Sequence, residues 1–418
     1  MIFRLSKLIS DQRGNAIVIC AAALPLLIGA SAIGVDTIQV SLARRQLQRT
    51  ADSAALAGAY ALAQQRSVAA AVNHDLSLNN ELVLNAAPGI ENAPASGPHA
   101  GDNRAVRIAL ATERSVPFIH FFTGAPMTVR VEATAALVYT GAYCAIALED
   151  QAVTGIRMGG NTTVDLGCGM ITNSRSGQAA YAFGNAYVNA SPMAAVGGIP
   201  QTNNYDPDTV FLPYSLAQED PYRDLPDPAV PNNCAGPISV QPNEAETITP
   251  SDNGIYCFRG MNVKGTLNLA PGIYYIDGGS LSFGAQSNVT GTGVTFILTS
   301  SNALNSPSQI ADLDINGGAT LDLRAPSSGT YAGVLFYQDR RAPFGTSRIN
   351  GNSASRLYGG FYFRSRELVF NGAAGMTTEC IQLVSRQIQF TGNARIQNQC
   401  PANGGAQAFQ ARLVRLVG

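Results

Sequence analysis

The chain has no tryptophan, only two lysines (Lys7 and Lys264) and only three histidines (His74, His99 and His120) in 418 residues. Charged residues make up 13% and the formal net charge is −1, so the composition offers no basic stripe for a nucleic acid. No GxxxxGK[ST], HExxH or GxSxG occurs, which removes the sequence grounds for a phosphate-binding loop, a zinc-protease helix and a serine nucleophile elbow. No two cysteines have CxxC spacing, so zinc-finger and thioredoxin-like chemistry are not indicated. The histidines read as surface or packed side chains, and no cofactor is implied.

What the chain does have is one long uncharged run near its start, Asn15 to Val35 (NAIVICAAALPLLIGASAIGV). Its length is about what a helix needs to cross a bilayer's hydrocarbon core. Pro25 lies inside it, where a membrane helix tolerates proline better than a soluble one does. Arg4, Lys7 and Arg13 precede it against Asp11 alone, so residues 1–14 are expected to stay cytoplasmic and the rest to be exported. The competing reading is a cleaved signal peptide with Ala30-Ser31-Ala32 as the small-residue site. The helical signal continues past that site without a break, which favours a retained anchor.

From Asp36 to about Val72 the pattern stays helical and alanine-rich, and no proline interrupts it. The expected stem carries Ile38, Leu42, Leu47, Ala51, Ala55 and Leu62 on or near one face, available to its own domain or to other anchored helices. Residues 73–140 carry alternating strand signals at 81–85, 105–112 and 127–139, with the aromatic run PFIHFF (117–122) between them. A small α+β unit is expected there.

Residues 141–418 are repetitive. Gly160-Asn161, Gly184-Asn185, Asn316-Gly317, Gly351-Asn352, Asn371-Gly372 and Gly392-Asn393 each sit beside a short alternating segment, 19 to 24 residues apart where copies adjoin. That period predicts a parallel β-helix whose turns need residues tolerating positive φ, with a two-sheet sandwich as the competitor. Ten of the 22 prolines fall between Pro200 and Pro250, with Asp206, Asp208, Glu219, Asp220, Asp224 and Asp227. This stretch reads as an acidic loop over the solenoid or as a partner contact. Cys20 lies in the apolar run. The other six cysteines suggest three local disulfides in an oxidising compartment, Cys144 with Cys168, Cys234 with Cys257 and Cys380 with Cys400, out of fifteen connectivities. The expected architecture is mainly β: a transmembrane and stem α-helix, a small α+β unit, and a right-handed parallel β-helix (solenoid) stapled by disulfides.

Several pieces of the first 60 residues carry a family resemblance: Arg13-Gly14-Asn15, Ala23-Leu24-Pro25, Gly34-Val35-Asp36, Ala43-Arg44-Arg45-Gln46-Leu47-Gln48 and Ala51-Asp52-Ser53-Ala54-Ala55-Leu56-Ala57. Together they resemble the N-terminal region of TadG-like proteins of the tight-adherence (Flp) pilus assembly system. Phrases such as Leu269-Ala-Pro271-Gly-Ile-Tyr-Tyr-Ile-Asp277 and Tyr331-Ala-Gly-Val-Leu-Phe-Tyr-Gln338-Asp339-Arg340 look like the exported half of such proteins. The resemblance implies a non-enzymatic accessory protein anchored in the bacterial inner membrane with a periplasmic body. Its partners would be membrane lipid and other pilus-assembly or pseudopilin proteins. TadE-like pseudopilins carry a Glu at the fifth position after the processing Gly; here Ile19 stands there after Gly14, which favours an uncleaved anchor.

Two rival functions belong to other classes. A surface rich in Asn, Thr and Tyr could contact glycan or peptidoglycan as an adhesin. A β-helix could also carry a polysaccharide-active enzyme, which needs two carboxylates converging on one cleft. Asp312, Asp314 and Asp322, and the cluster Asp339-Arg340-Arg341, are the candidates. A solvated face or a Ca²⁺-capped ladder is the plainer reading of both groups.

Overall fold

The computed structural model describes residues 15–251, 253–351, 355–372, 376–378, 380–392, 395–398 and 409–418. The chain is mainly β, with 41% strand and 18% helix. It divides into two compact units, one made of Met1–Val138 with Val414–Gly418, the other of Tyr139–Leu413.

The first unit begins with helix α1 (Asn15–Ala63), which contains Pro25. Good helix formers sustain it to Ala63, where Gln65 turns into the left-handed region at φ 56°. Ser67 then caps α2 (Val68–Asn79), its hydroxyl accepting from the Ala70 amide at 3.3 Å. The expected single helix through 72 is therefore two helices with a turn between. Strands β1 (Gly89–Asn92), β2 (Ala105–Arg114) and β3 (Met127–Ala147) pair antiparallel. The expected strand at 81–85 is reduced to a single bridge, Leu84 to Thr112. Strand β2 turns Val106, Ile108 and Leu110 inward against Leu47, Ala51, Ala54, Ala55 and Ala59 of α1. Small residues set how close these elements come: a Cβ on Gly58 would stand 3.0 Å from Val106 and 3.1 Å from Val72. The C-terminal residues join this unit, with the Thr134 amide donating to the Gly418 carbonyl at 2.6 Å.

In the second unit, the strand pairs between Tyr143 and Gly392 are parallel, which fits stacked coils and not the antiparallel sandwich. Three ladders run along the stack. Adjoining coils are offset by 24 residues at Ile156↔Ala180 and by 20 at Leu368↔Ile388. The offset grows to 32 at Ser280↔Asp312 and 40 at Phe296↔Phe336, where loops leave the wall. The interior is one apolar cluster. Its spine is a row of rings, Tyr256, Tyr274, Phe296, Phe336 and Phe361, with successive centroids 4.5, 5.6, 5.3 and 5.0 Å apart. The Gly-Asn phrases also stack. Gly392, Gly160 and Gly184 hold φ 79°, 79° and 68°, and a Cβ on Gly160 would lie 2.9 Å from the Gly392 carbonyl oxygen. Only glycine meets both demands cheaply.

The coils are not stacked in chain order. Strand β3 enters in mid-stack, and the chain winds from it through Gly169–Thr172 and Met193–Ala195 to Phe211–Leu212 at one end. The proline-rich segment then carries it to the opposite end, at Ile238–Val240 and Ile255–Phe258. From there the coils climb back through Gly272–Asp277, Val294–Thr299, Val334–Gln338 and Arg356–Gly372 to Cys380–Gly392. That last coil pairs in parallel with the first: Leu383 lies beside Ala145 and Ile388 beside Ile156. Arg386 closes the seam, donating to the buried Glu149 at 2.8 Å.

Among the described residues two of the expected disulfides are present, Cys144–Cys168 and Cys234–Cys257. Cys400, predicted to bond Cys380, lies outside the described residues.

Candidate functional site: the apolar helix and the strapped solenoid

Helix α1 has two distinct halves. From Ile19 to Leu42 most of its large apolar side chains are exposed, among them Leu26 (76%), Leu27 (68%), Ile33 (65%) and Ile38 (61%), while Ala32 and Asp36 are buried and Val40 is half-buried against the core. The helix is long and apolar enough to cross a membrane, with mean hydropathy 1.9 in its most apolar window. A largely unburied apolar helix suits lipid as its solvent. From Ala43 onward Leu47, Ala51, Ala55 and Ala59 are buried in the first unit.

The six stem residues predicted for one face do not share it. At about 100° per residue, Leu47 is half a turn away from Ile38. Ile38 and Leu42 are exposed, Leu47, Ala51 and Ala55 are buried in the unit's own core, and Leu62 packs half-buried at its edge. The outer stem packs on its own domain. Its N-terminal end, with Ile38 and Leu42, remains exposed.

Asp36, directly after the apolar run, is fully buried. One carboxylate oxygen accepts from the Ile119 amide at 2.7 Å, and the other has no hydrogen-bond partner. Ile119 lies in the short helix α3 (Pro117–Thr123), which the PFIHFF run forms between Val116 and the left-handed Gly124. The aromatic run was visible in the sequence; its attachment to α1 through Asp36 was not. An acidic residue closing an apolar run is the signal that pointed there.

The bonded cysteines have Cα atoms 5.8 Å apart in Cys144–Cys168 and 4.6 Å apart in Cys234–Cys257. Cys20 is free and exposed on α1. The predicted bond of Cys380 to Cys400 is not among the described disulfides, because Cys400 and the Cys380 side chain both lie outside the described residues.

The proline-rich segment straps the successive coils it crosses. Asn173 and Gln218 exchange two hydrogen bonds, at 2.7 and 2.8 Å. Arg412 donates to Glu219 at 2.6 Å, and the Tyr222 hydroxyl pairs with Gln382 at 3.0 Å. Arg340 is the hub: it donates to the Tyr362 hydroxyl at 2.8 Å, to the Leu225 carbonyl at 3.0 Å, and to the Tyr222 carbonyl. Tyr362 in turn donates to Asp220 at 2.6 Å. Three of the strap's acidic residues are thus paired with the solenoid's own cations: Glu219 with Arg412, Asp220 with Arg364 and Asp227 with Arg340. A cleft of about 280 Å³ lies beside them, lined in part by Tyr139, Tyr143, Gln218, Arg223 and Phe409.

Of the candidate catalytic carboxylates, Asp312 and Asp339 form ion pairs with arginines, and the other two have arginines only as register neighbours. Arg366 pairs with Asp312, while Asp314 and Asp322 stand in register with Arg348 and Arg356. Asp339 is buried. Burial pushes its carboxyl up, but hydrogen bonds from the Arg341 side chain and backbone and from Thr299 outweigh that and hold it below the usual range. Among the described residues no group of three His, Cys, Asp or Glu is placed to hold a metal.

Burial pushes the Tyr143 and Tyr337 hydroxyls up to about 12, and it raises Tyr222, Tyr274, Tyr331 and Tyr362 as well. These groups keep their protons longer in the folded state. Their contribution to stability is intact below about pH 10, the unfolded value, and is lost as pH rises from there through the folded values. A titration followed by tyrosinate absorbance and near-UV circular dichroism should show tyrosinate appearing together with loss of tertiary signal. Ionisation of these tyrosines near pH 10 in a still-folded protein would contradict this.

No curated protein and no solved structure matches the chain. Residues 14–65, which cover the apolar run and the buried stem, match the family model described as "Putative Flp pilus-assembly TadE/G-like". Through that N-terminal segment the chain is TadG-like, and the match supports its involvement in Flp pilus assembly.

Proposed function

We propose that the protein is a non-enzymatic accessory component of Flp pilus assembly. It is held in the bacterial inner membrane by α1 with residues 1–14 in the cytoplasm, and it acts in the periplasm through protein–protein contacts of its β-helix. The observation that carries this reading is the change within α1 from a largely exposed apolar surface to a buried stem, inside the segment that matches the pilus-assembly family. The two disulfides suit an oxidising compartment. The ion pairs of Asp312 and Asp339 with arginines, and the arginines in register beside Asp314 and Asp322, favour a structural role for these carboxylates over acid–base chemistry. Membrane lipid and other pilus-assembly proteins are the proposed partners.

The test is to fractionate cells, treat spheroplasts with protease and crosslink intact envelopes. The expected result is an inner-membrane protein whose β-helix is reached by protease from the periplasmic side and crosslinks to pilus-assembly proteins. A full-length product that is soluble in the cytosol with its thiols free would overturn the reading. Reducing ends released from a polysaccharide by the purified protein would overturn its non-enzymatic part.

A further inference from the structure

The uncharged outer surface of α1 does not end at Asp36. Asp36 is sealed beneath α3, and Ala32, one helical turn earlier, is buried on the same side. The next charged residues on the helix are Arg44 and Arg45, both exposed. Between them and Val35 the exposed side chains are Ile38 and Leu42 with the uncharged Thr37, Gln39 and Ser41. With the acid covered, the outward surface carries no exposed formal charge from Ile19 to Ala43.

Helix α3 is fixed at this level. It rises from the β2–β3 hairpin, where Arg114 pairs with Met127 in register. Two of its aromatic side chains, Phe121 and Phe122, are each 82% exposed, and Phe118 and, on the neighbouring strand, Met127 are each 40% exposed. The two outer rings touch only edge to face, at 5.3 Å. Large exposed aromatics beside an exposed apolar helix, with Arg44, Arg45 and Arg114 just beyond, match the chemistry of a bilayer interface.

We propose that α3 is a second membrane contact, an aromatic wedge seated in the same leaflet from which α1 emerges, and that the charged boundary of the anchor lies at Arg44-Arg45. Asp36 is the pin that holds the wedge to the anchor. The inference rests on α1 spanning the membrane, and the experiment separates the two claims.

Because the chain has no native tryptophan, single indoles report cleanly. Full-length Ile28→Trp, Phe121→Trp and Tyr214→Trp variants would each be reconstituted into phosphatidylcholine–phosphatidylglycerol vesicles with and without brominated acyl chains. Expected are blue-shifted, bromine-quenched emission for Ile28→Trp and Phe121→Trp, and water-exposed, unquenched emission for Tyr214→Trp on the solenoid. Quenching at position 28 with none at 121 would overturn the wedge while leaving the anchor in place, and would assign the aromatic face to a protein partner. Absence of quenching at both would remove the anchor and the wedge with it. As a second readout, Phe121→Ser/Phe122→Ser should leave the protein vesicle-bound and should raise protease cleavage at the β2–β3 tip in vesicles. Unchanged cleavage would count against the wedge.

Discussion

Phe336→Ala is expected to destabilise the β-helix by about 3–5 kcal/mol, the usual range for removing a buried ring that the surroundings cannot refill. The ring is fully buried, stacked on Phe296 at 5.3 Å and tilted against Phe361 at 5.0 Å. It sits in mid-ladder, so the backbones above and below are held about 4.7–4.9 Å apart by the sheet itself and cannot close over the gap. The control is Phe344→Ala, whose ring is 58% exposed and stacks on Arg386. It should cost well under about 1 kcal/mol, as surface contacts do. Denaturant unfolding of both variants decides the matter. Equal midpoints would mean that the aromatic spine does not carry the stack.

The second large effect is expected at the strap. Opening Cys234–Cys257 with Cys234→Ser should cost roughly 3 kcal/mol, since the bridge closes a loop of 23 residues. Cys144→Ser, which opens a loop of 24, should cost a similar amount. The two losses should look different under limited proteolysis. Cys234 fastens the strap where it delivers the chain to the far end of the stack, so its loss should expose the strap first. Cys144→Ser should leave the strap protected. A third variant, Arg340→Ala, removes the donor shared by Tyr222, Leu225 and Tyr362. It should cost about 2 kcal/mol, as losing hydrogen bonds to a charged group does, and should also expose the strap. Unchanged melting temperatures in all three variants would show that the strap is decoration.

The solenoid was legible in the sequence because its turns are chemically conspicuous. A positive φ at Gly160, Gly184 and Gly392 leaves a Gly-Asn phrase in each of those three coils. The long N-terminal helix was legible because its apolar run is unbroken in the sequence. Two of the cysteine pairs were legible because each joins neighbouring coils, so that one coil's length separates the partners in sequence. The coil order was not legible. It depends on parallel pairing between distant segments, as where Arg386 meets Glu149 across 237 residues, and no short-range signal records which coil lies beside which. For the same reason the proline-rich segment looked like a covering loop and not the crossover that it is. The stem face failed for a geometric cause. Ile38 and Leu47 are both apolar, but nine helical residues put them on opposite sides. Asp36 and α3 were missed as a pair because a buried acid meeting a backbone amide 83 residues away is a tertiary event.

The mid-stack entry of β3 and the seam it makes with Cys380–Gly392 have an evolutionary corollary. Both extremities of the coil column, at Phe211–Leu212 and at Ile238–Val240, are reached by continuous chain and hold neither of the points where the column connects to the rest of the molecule. A lineage can therefore lengthen or trim the column by whole turns at either extremity while the residues at its junction keep their neighbours. Homologues of different size should differ there first.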